Sequence, residues 1–102
     1  MRCRRCVPIP EEVRGLASLL ERRSSVSVIW ASHEGATRFN EFVQVLHPVA
    51  PATLTARLVE LEQAGILTRA LIDDRPPRVE YRLTRRGERL AHVIALLGDV
   101  AR

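Results

Sequence analysis

Thr53, Thr55 and Arg57, interleaved with Ala52 and Ala56, are the residues of this chain best suited to touching a polyanion in a directed way. They follow Pro51 and share their segment with Leu54, Leu58 and Leu61, which fall on one face at helical spacing. With those leucines buried, the N-terminal half is expected to expose Ala52, Thr53, Thr55, Ala56 and Arg57. Small side chains admit a helix to a major groove about 12 Å wide, and Thr and Arg can meet base edges and phosphates there. A helix N-terminus adds free amide donors and a positive dipole end. Glu60 and Glu62 lie further along, where such a helix leaves the groove.

A second basic cluster is Arg75 and Arg78, flanking Pro76-Pro77 in a turn between two alternating runs. The proline pair stiffens the loop, which suits contact with the minor groove or its phosphates. Asp73 and Asp74 work against this unless they face away or bond within the turn. Arg38, just before Phe39, is a further phosphate candidate. Arg85, Arg86 and Arg89 are equally well explained as a solvated helix face. Cys3 and Cys6 form a C-x-x-C pair, too few for a disulfide framework or a complete zinc site, and His33, His47 and His92 are scattered. No metal or cofactor is expected. No Ser-His-Asp, paired-carboxylate or phosphate-loop signature is present, so no enzymatic activity is expected either.

These residues need elements to hold them. Residues 1–8 read as a flexible basic arm and 9–102 as one domain. Pro10, Glu11 and Glu12 start a first helix with Val13, Leu16, Leu19 and Leu20 on one stripe and Arg22 and Arg23 at its far end. Ser24 or Ser25 can cap a second helix through Trp30 that ends near Gly35, although its β-branched residues leave a buried strand as the competing assignment. Ala36 to Arg38 is extended, Phe39 to Leu46 is helical, and Pro48 stops it. The fourth helix runs from Pro51 to Ala64 and is closed by Gly65. A hairpin follows, with Ile66, Thr68 and Ala70 on one side and Leu67, Arg69 and Leu71 on the other; on the return strand Val79, Tyr81 and Leu83 oppose Arg78, Glu80 and Arg82. Thr84 caps a last helix bearing Leu90, Val93, Ile94, Leu97 and Val100 or Ala101. The fold class is α+β and mostly helical: a winged helix-turn-helix with a two- to three-stranded β-wing.

Size and charge agree. The 102 residues carry 16 basic and 12 acidic side chains, every basic one an arginine. That balance fits an anionic partner, because neutralised phosphates release counterions, and the planar guanidinium donates two hydrogen bonds at once. A GC-rich genome explains the absence of lysine equally well, but not the excess of positive charge. No run is apolar enough to span a bilayer, and no signal-peptide pattern follows Arg2, Arg4 and Arg5, so no membrane association is expected and a cytoplasmic location is.

At these residues the sequence resembles the HxlR-type winged-helix transcriptional regulators, relatives of the MarR group. The matching runs are Gly35 to Phe42, Leu54 to Gly65, and Pro76 to Gly87, with Pro-Pro-Arg-Val-Glu-Tyr-Arg-Leu-Thr the most specific. The resemblance implies a homodimer joined through its first and last helices, binding a palindromic operator in double-stranded DNA through recognition helix 51–64 and wing 72–79. It implies DNA contacts at Thr53, Thr55, Ala56 and Arg57 and around Arg75 to Arg78. With the apolar stripes it puts Val13, Leu16, Leu20, Leu90, Val93, Ile94 and Leu97 at the dimer interface, the last helix serving for dimerisation. Three positions depart from the family. A serine, Ser24 or Ser25, stands where it usually has tryptophan at the start of the second helix. Ala50 replaces a capping serine, giving up about 1 kcal/mol. Glu11 aligns with the cysteine that some members oxidise, and Cys6 lies upstream of it. No effector is read from these residues.

Two other readings stay open. A winged helix can serve protein assembly, docking the small face of the fourth helix on a partner without sequence-specific DNA binding. Alternatively, Cys3 and Cys6 form a thiol-based redox sensor, the neighbouring arginines favouring the thiolate.

Overall fold

The computed structural model describes residues 5–102, and its architecture follows from how each segment starts and stops. Pro10 precedes α1 (Glu11–Leu20) and its carbonyl accepts from the Arg14 amide at 2.9 Å. Leu16, Leu19 and Leu20 lean on the core, half-buried, while Val13 stays half exposed.

The segment rich in β-branched residues is a helix, α2 (Ser25–His33), not a strand. Val28 and Ile29 are fully buried in it, and α2 packs against α1, α3, α4, α5 and β2. Burial from several sides outweighs the modest helix penalty of Val and Ile. Ser24 occupies the position before it with φ 69°, but its hydroxyl makes no capping bond, and the Ser25 hydroxyl is buried without a hydrogen-bond partner among the described residues. Gly35, at φ 111°, lets the chain leave α2 in a conformation that costs other residues strain.

Thr37 and Arg38 lead into α3 (Phe39–Leu46), whose Phe42 is completely buried. Pro51 opens α4 (Pro51–Gln63). Its end is a left-handed closure at Gly65 (φ 75°), with the Ile66 amide donating to Leu61 O at 2.9 Å and the Gly65 amide to Glu62 O at 3.0 Å. That closure turns the chain directly into β1 (Leu67–Ile72), which pairs antiparallel with β2 (Arg78–Leu83) in the register Leu67 to Leu83 through Ile72 to Arg78. Among the described residues the sheet has two strands; the Tyr81 amide adds one bond of 2.7 Å to the Thr37 carbonyl, tying the extended segment before α3 to the wing.

Thr84 caps α5 (Arg85–Ala95), its hydroxyl accepting from the Gly87 amide at 3.0 Å and donating back to the Gly65 carbonyl. The expected single last helix is two. It breaks at Leu96, whose amide donates to Val93 O at 3.2 Å, and resumes as α6 (Leu97–Ala101). Gly98 of α6 lies against the Trp30 ring, where a Cβ would sit 3.2 Å from Cη2.

The core is one cluster built on Val28, Ile29, Phe42, Leu54, Leu58, Leu61, Ile66 and Leu67. Burying each large side chain contributes about 1.5–3 kcal/mol, so these residues hold α4 and the hairpin on one platform. Leu90 and Ile94 belong to this core, 8% and 5% exposed, which corrects the expectation that they face a partner. The helices and hairpin are together a winged helix-turn-helix, α+β and mostly helical.

Candidate nucleic-acid interface

The exposed edge of α4 begins at Ala50, which is extended and has no side chain to cap the helix. Its first-turn amides therefore receive no side-chain acceptor from the capping position. Ala52 and Thr55 are exposed, and Thr53 and Ala56 half-buried. The Thr55 hydroxyl donates to the Pro51 carbonyl at 3.0 Å. With its proton committed, that hydroxyl can only accept, which favours the amino groups of adenine or cytosine over a phosphate.

Arg57 is not on this edge. The expectation of an exposed reader gives way to a residue 9% exposed, its Nε 3.2 Å from Glu60 Oε1. The two atoms are close but not aligned for a hydrogen bond, so the contact is an ion pair. Glu60 Oε2 in turn lies 3.0 Å from Nη2 of Arg22, in the turn after α1. A carboxylate one turn along the helix, backed by a distant arginine, has drawn Arg57 inward. Conversely, sequence reasoning missed Arg23. It lines a groove of about 330 Å³ with Ser24, Pro48, Val49, Ala50 and Thr53, which brings an exposed cation to the N-terminal end of α4.

The wing tip divides its charges. Arg75 is exposed and, among the described residues, makes no ion pair. Arg78 is held by Asp74 and by Glu80, the latter at 3.0 Å. Glu80 does not lie on an open polar face: it is 8% exposed, clamped between Arg78 and Arg82, whose Nη2 is 2.7 Å away. Hydrogen bonds from Arg82 and then Arg78 hold the Glu80 carboxyl below the usual carboxylate range. Asp74 bonds within the turn, as the loop chemistry requires. Its Oδ1 accepts from the Arg75 amide at 3.0 Å, and that bond, followed by the charge of Arg78, lowers its pKa.

Arg38 and Arg78, forty residues apart in the chain, line one groove of about 450 Å³ with Asn40 and Gln44. The Glu41 carboxylate fixes the near side of it by accepting from the amides of Arg38 (2.9 Å) and Thr37 (3.0 Å), which lowers its pKa. Arg86 and Arg89 lie elsewhere, along a groove of about 350 Å³ with Leu16, Ile66, Leu90 and Val93.

Of the residues expected at a dimer interface, Val13, Val93 and Leu97 are 50%, 64% and 50% exposed, and Leu96 and Val100 join them at 60% and 84%. Leu16 and Leu20 are half-buried against the core. Cys6 is exposed and disulfide-bonded; Cys3 lies outside the described residues. His33 and His92, scattered in the chain, bring their rings to a centroid distance of 6.0 Å. Among the described residues no group of three potential metal ligands forms, and no helix is long and apolar enough to cross a membrane.

The chain is similar to known proteins in sequence and in fold. The family model described as HxlR-like helix-turn-helix matches residues 19–102. The HTH-type transcriptional regulator sll1512 of Synechocystis sp. is 34% identical over 82 residues, covering 80% of this chain and 61% of that protein. YvaP of Bacillus subtilis, also an HTH-type transcriptional regulator, is 32% identical over 84 residues, 82% of this chain and 75% of its own length. The chain thus spans less than two thirds of the Synechocystis relative. The reduced form of the transcriptional regulator YodB from B. subtilis superposes with a TM-score of 0.81 at 29% identity, covering 92% of each chain.

Proposed function

We propose, on the premise that this chain belongs to the HxlR-like helix-turn-helix family and is a DNA-binding transcriptional regulator rather than an enzyme, that it binds a palindromic operator as a homodimer. The observation that carries this reading is the exposed first half of α4. Ala52, Thr53, Thr55 and Ala56 present little bulk, and the helix N-terminus has no side-chain cap to compete with a phosphate. In this reading Thr53 and Thr55 meet base edges. Arg75 at the wing tip, and Arg38 with Arg78 in the groove between α3 and β2, neutralise phosphates and set the register. Arg57 acts from inside, as support for the reading edge.

The second copy covers Val13 of α1, Val93 of α5, Leu96 at the break, and Leu97 and Val100 of α6. These five large apolar residues are exposed, and removing their surface from water favours covering them with a second copy. A twofold pair joined there would address two half-sites about one helical turn, ~34–36 Å, apart. A cytoplasmic location goes with this reading, because that is where the operator lies.

The test is selection of bound duplexes from a random pool, followed by titration against salt. An inverted repeat is expected, with log affinity falling linearly against log salt concentration. Arg75→Ala, which removes one phosphate contact from each subunit of the pair, should flatten that slope by about 1.8 on the selected repeat and on random DNA alike. Equal affinity for selected and random duplexes would refute sequence reading, and a monomer by sedimentation on the repeat would refute the twofold pair.

A further inference from the structure

Arg22 and Arg23 are neighbours in the turn between α1 and α2, and the fold treats them differently. Arg22 is held by Glu60, its Nη2 3.0 Å from Oε2. Arg23 is exposed and, among the described residues, makes no ion pair and no hydrogen bond. It lines the groove of about 330 Å³ with Ser24, Pro48, Val49, Ala50 and Thr53, and no carboxylate stands among these residues. The polar groups that share the groove are unmet as well. Ser24 precedes α2 without capping it, and among the described residues the hydroxyls of Ser24 and Thr53 make no hydrogen bond. The next hydroxyl in the chain, that of Ser25, is buried and also without a partner. Ala50 offers no side chain to cap α4. One groove thus gathers a cation and two free hydroxyls, with no acid to answer them, which is the chemistry of a site for an anionic oxygen.

We propose that Arg23, with the hydroxyls of Ser24 and Thr53, is a phosphate clamp that holds one DNA strand at the N-terminal end of α4. The inference rests on the reading above, in which the first half of α4 meets base edges, and adds a backbone contact from a segment which that reading leaves off the DNA. Thr53 belongs both to the groove and to the reading edge, so a strand read by α4 passes the groove. The ligand is one phosphodiester per half-site. The guanidinium donates two bonds to its non-bridging oxygens, and each hydroxyl can donate one more. Such a contact fixes position on the duplex and carries no sequence information. Arg23 is also the arginine near α4 that is free to do this. Recruiting Arg22 or Arg57 would break an ion pair with Glu60, whereas Arg23 gives up no partner among the described residues.

The experiment uses the full chain and the repeat recovered by selection, titrated from about 50 to 200 mM salt. Arg23→Ala removes one phosphate contact from each subunit, so the slope of log affinity against log salt is expected to flatten by about 1.8. Across that fourfold range the wild type then loses about 12-fold more affinity than the variant. The ratio of selected to random affinity stays unchanged, because a backbone contact serves both. Arg23→Lys keeps the charge without the planar fork and should keep the wild-type slope at lower affinity. Neutral methylphosphonates placed symmetrically in both half-sites locate the clamp. At one position the substitution weakens the wild type and adds nothing to Arg23→Ala, and that position differs from the one coupled to Arg75→Ala. An unchanged slope in Arg23→Ala overturns the proposal. So does a loss spread evenly over every methylphosphonate duplex, which would make Arg23 a diffuse charge. A flattening of only about 0.9 would signal a single subunit on the repeat, refuting the twofold pair and not the clamp.

Discussion

Replacing Gly87 with alanine would place a methyl group in overlap with the Ile66 carbonyl oxygen, 3.0 Å from that carbonyl's carbon and 3.1 Å from Leu83 Cδ2. Relaxed carbon contacts lie at about 3.5–4.0 Å, so α5 and the base of β1 must part by at least half an ångström, and further to clear the oxygen. That oxygen is not free to yield, since the Thr84 amide donates to it at 3.0 Å and the Thr84 hydroxyl lies 3.2 Å away. Overpacking typically costs about 1–3 kcal/mol, and an obstacle made of pinned backbone belongs at the upper end. For a chain of this size each kcal/mol moves the melting temperature by about 4–8 °C, so a loss near 3 kcal/mol means roughly 12–24 °C. The control is Gly15→Ala. Gly15 is helical and nothing lies within 4 Å of its added Cβ, so the same substitution there should stabilise by about 0.5–1 kcal/mol. Thermal and urea melts at one fixed protein concentration report both, the fixed concentration being required for an associating chain. A Gly87→Ala protein melting within about 4 °C of wild type would refute the packing argument. So would a Gly15→Ala protein that loses stability.

Two further outcomes follow from the charges. Arg57→Ala should cost about 1–2 kcal/mol, less than breaking a fully buried pair because Glu60 keeps Arg22. As Arg57 is a buried support for the reading edge, its loss should weaken binding to the selected repeat more than to random DNA, and an unchanged ratio of the two affinities would contradict that role. Acid should loosen the wing and the start of α3. The carboxyls of Glu41, Asp74 and Glu80 all lie below the ordinary range in the folded chain, through the Arg38 amide, the Arg75 amide and the Arg82 guanidinium respectively. A carboxyl lowered by folding contributes fully above its unfolded pKa, near 4, and loses that contribution as pH falls through the folded value. Melting temperature is therefore expected to decline below about pH 4–5, and a rise between pH 5 and 3 would contradict the assignment.

Local chemistry made much of the fold legible. Proline after a polar or extended residue opened α1 and α4 where expected, glycine closed α2 and α4 at Gly35 and Gly65, and Thr84 capped α5, because each depends on atoms within a few residues. The hairpin and its turn were readable for the same reason, down to the bonding of Asp74 within the tip. The small side chains on the first half of α4 could likewise be identified from helical spacing alone.

Long-range packing decided the rest. Arg57 reads as an exposed donor until Glu60 and the remote Arg22 are seen to draw it in, and Glu80 reads as a surface charge until two arginines enclose it. Residues 25–33 are helical because neighbours bury them on several sides, which no propensity records. Leu90 and Ile94 carry the same apolar signal as Val93 and Leu97, and only the tertiary fold assigns the first two to this chain's own core and leaves the others exposed. Periodicity ranks faces by hydrophobicity but cannot say which neighbour covers them, and charge pattern names ions without their partners. Those are properties of distances between segments, set only when the elements pack.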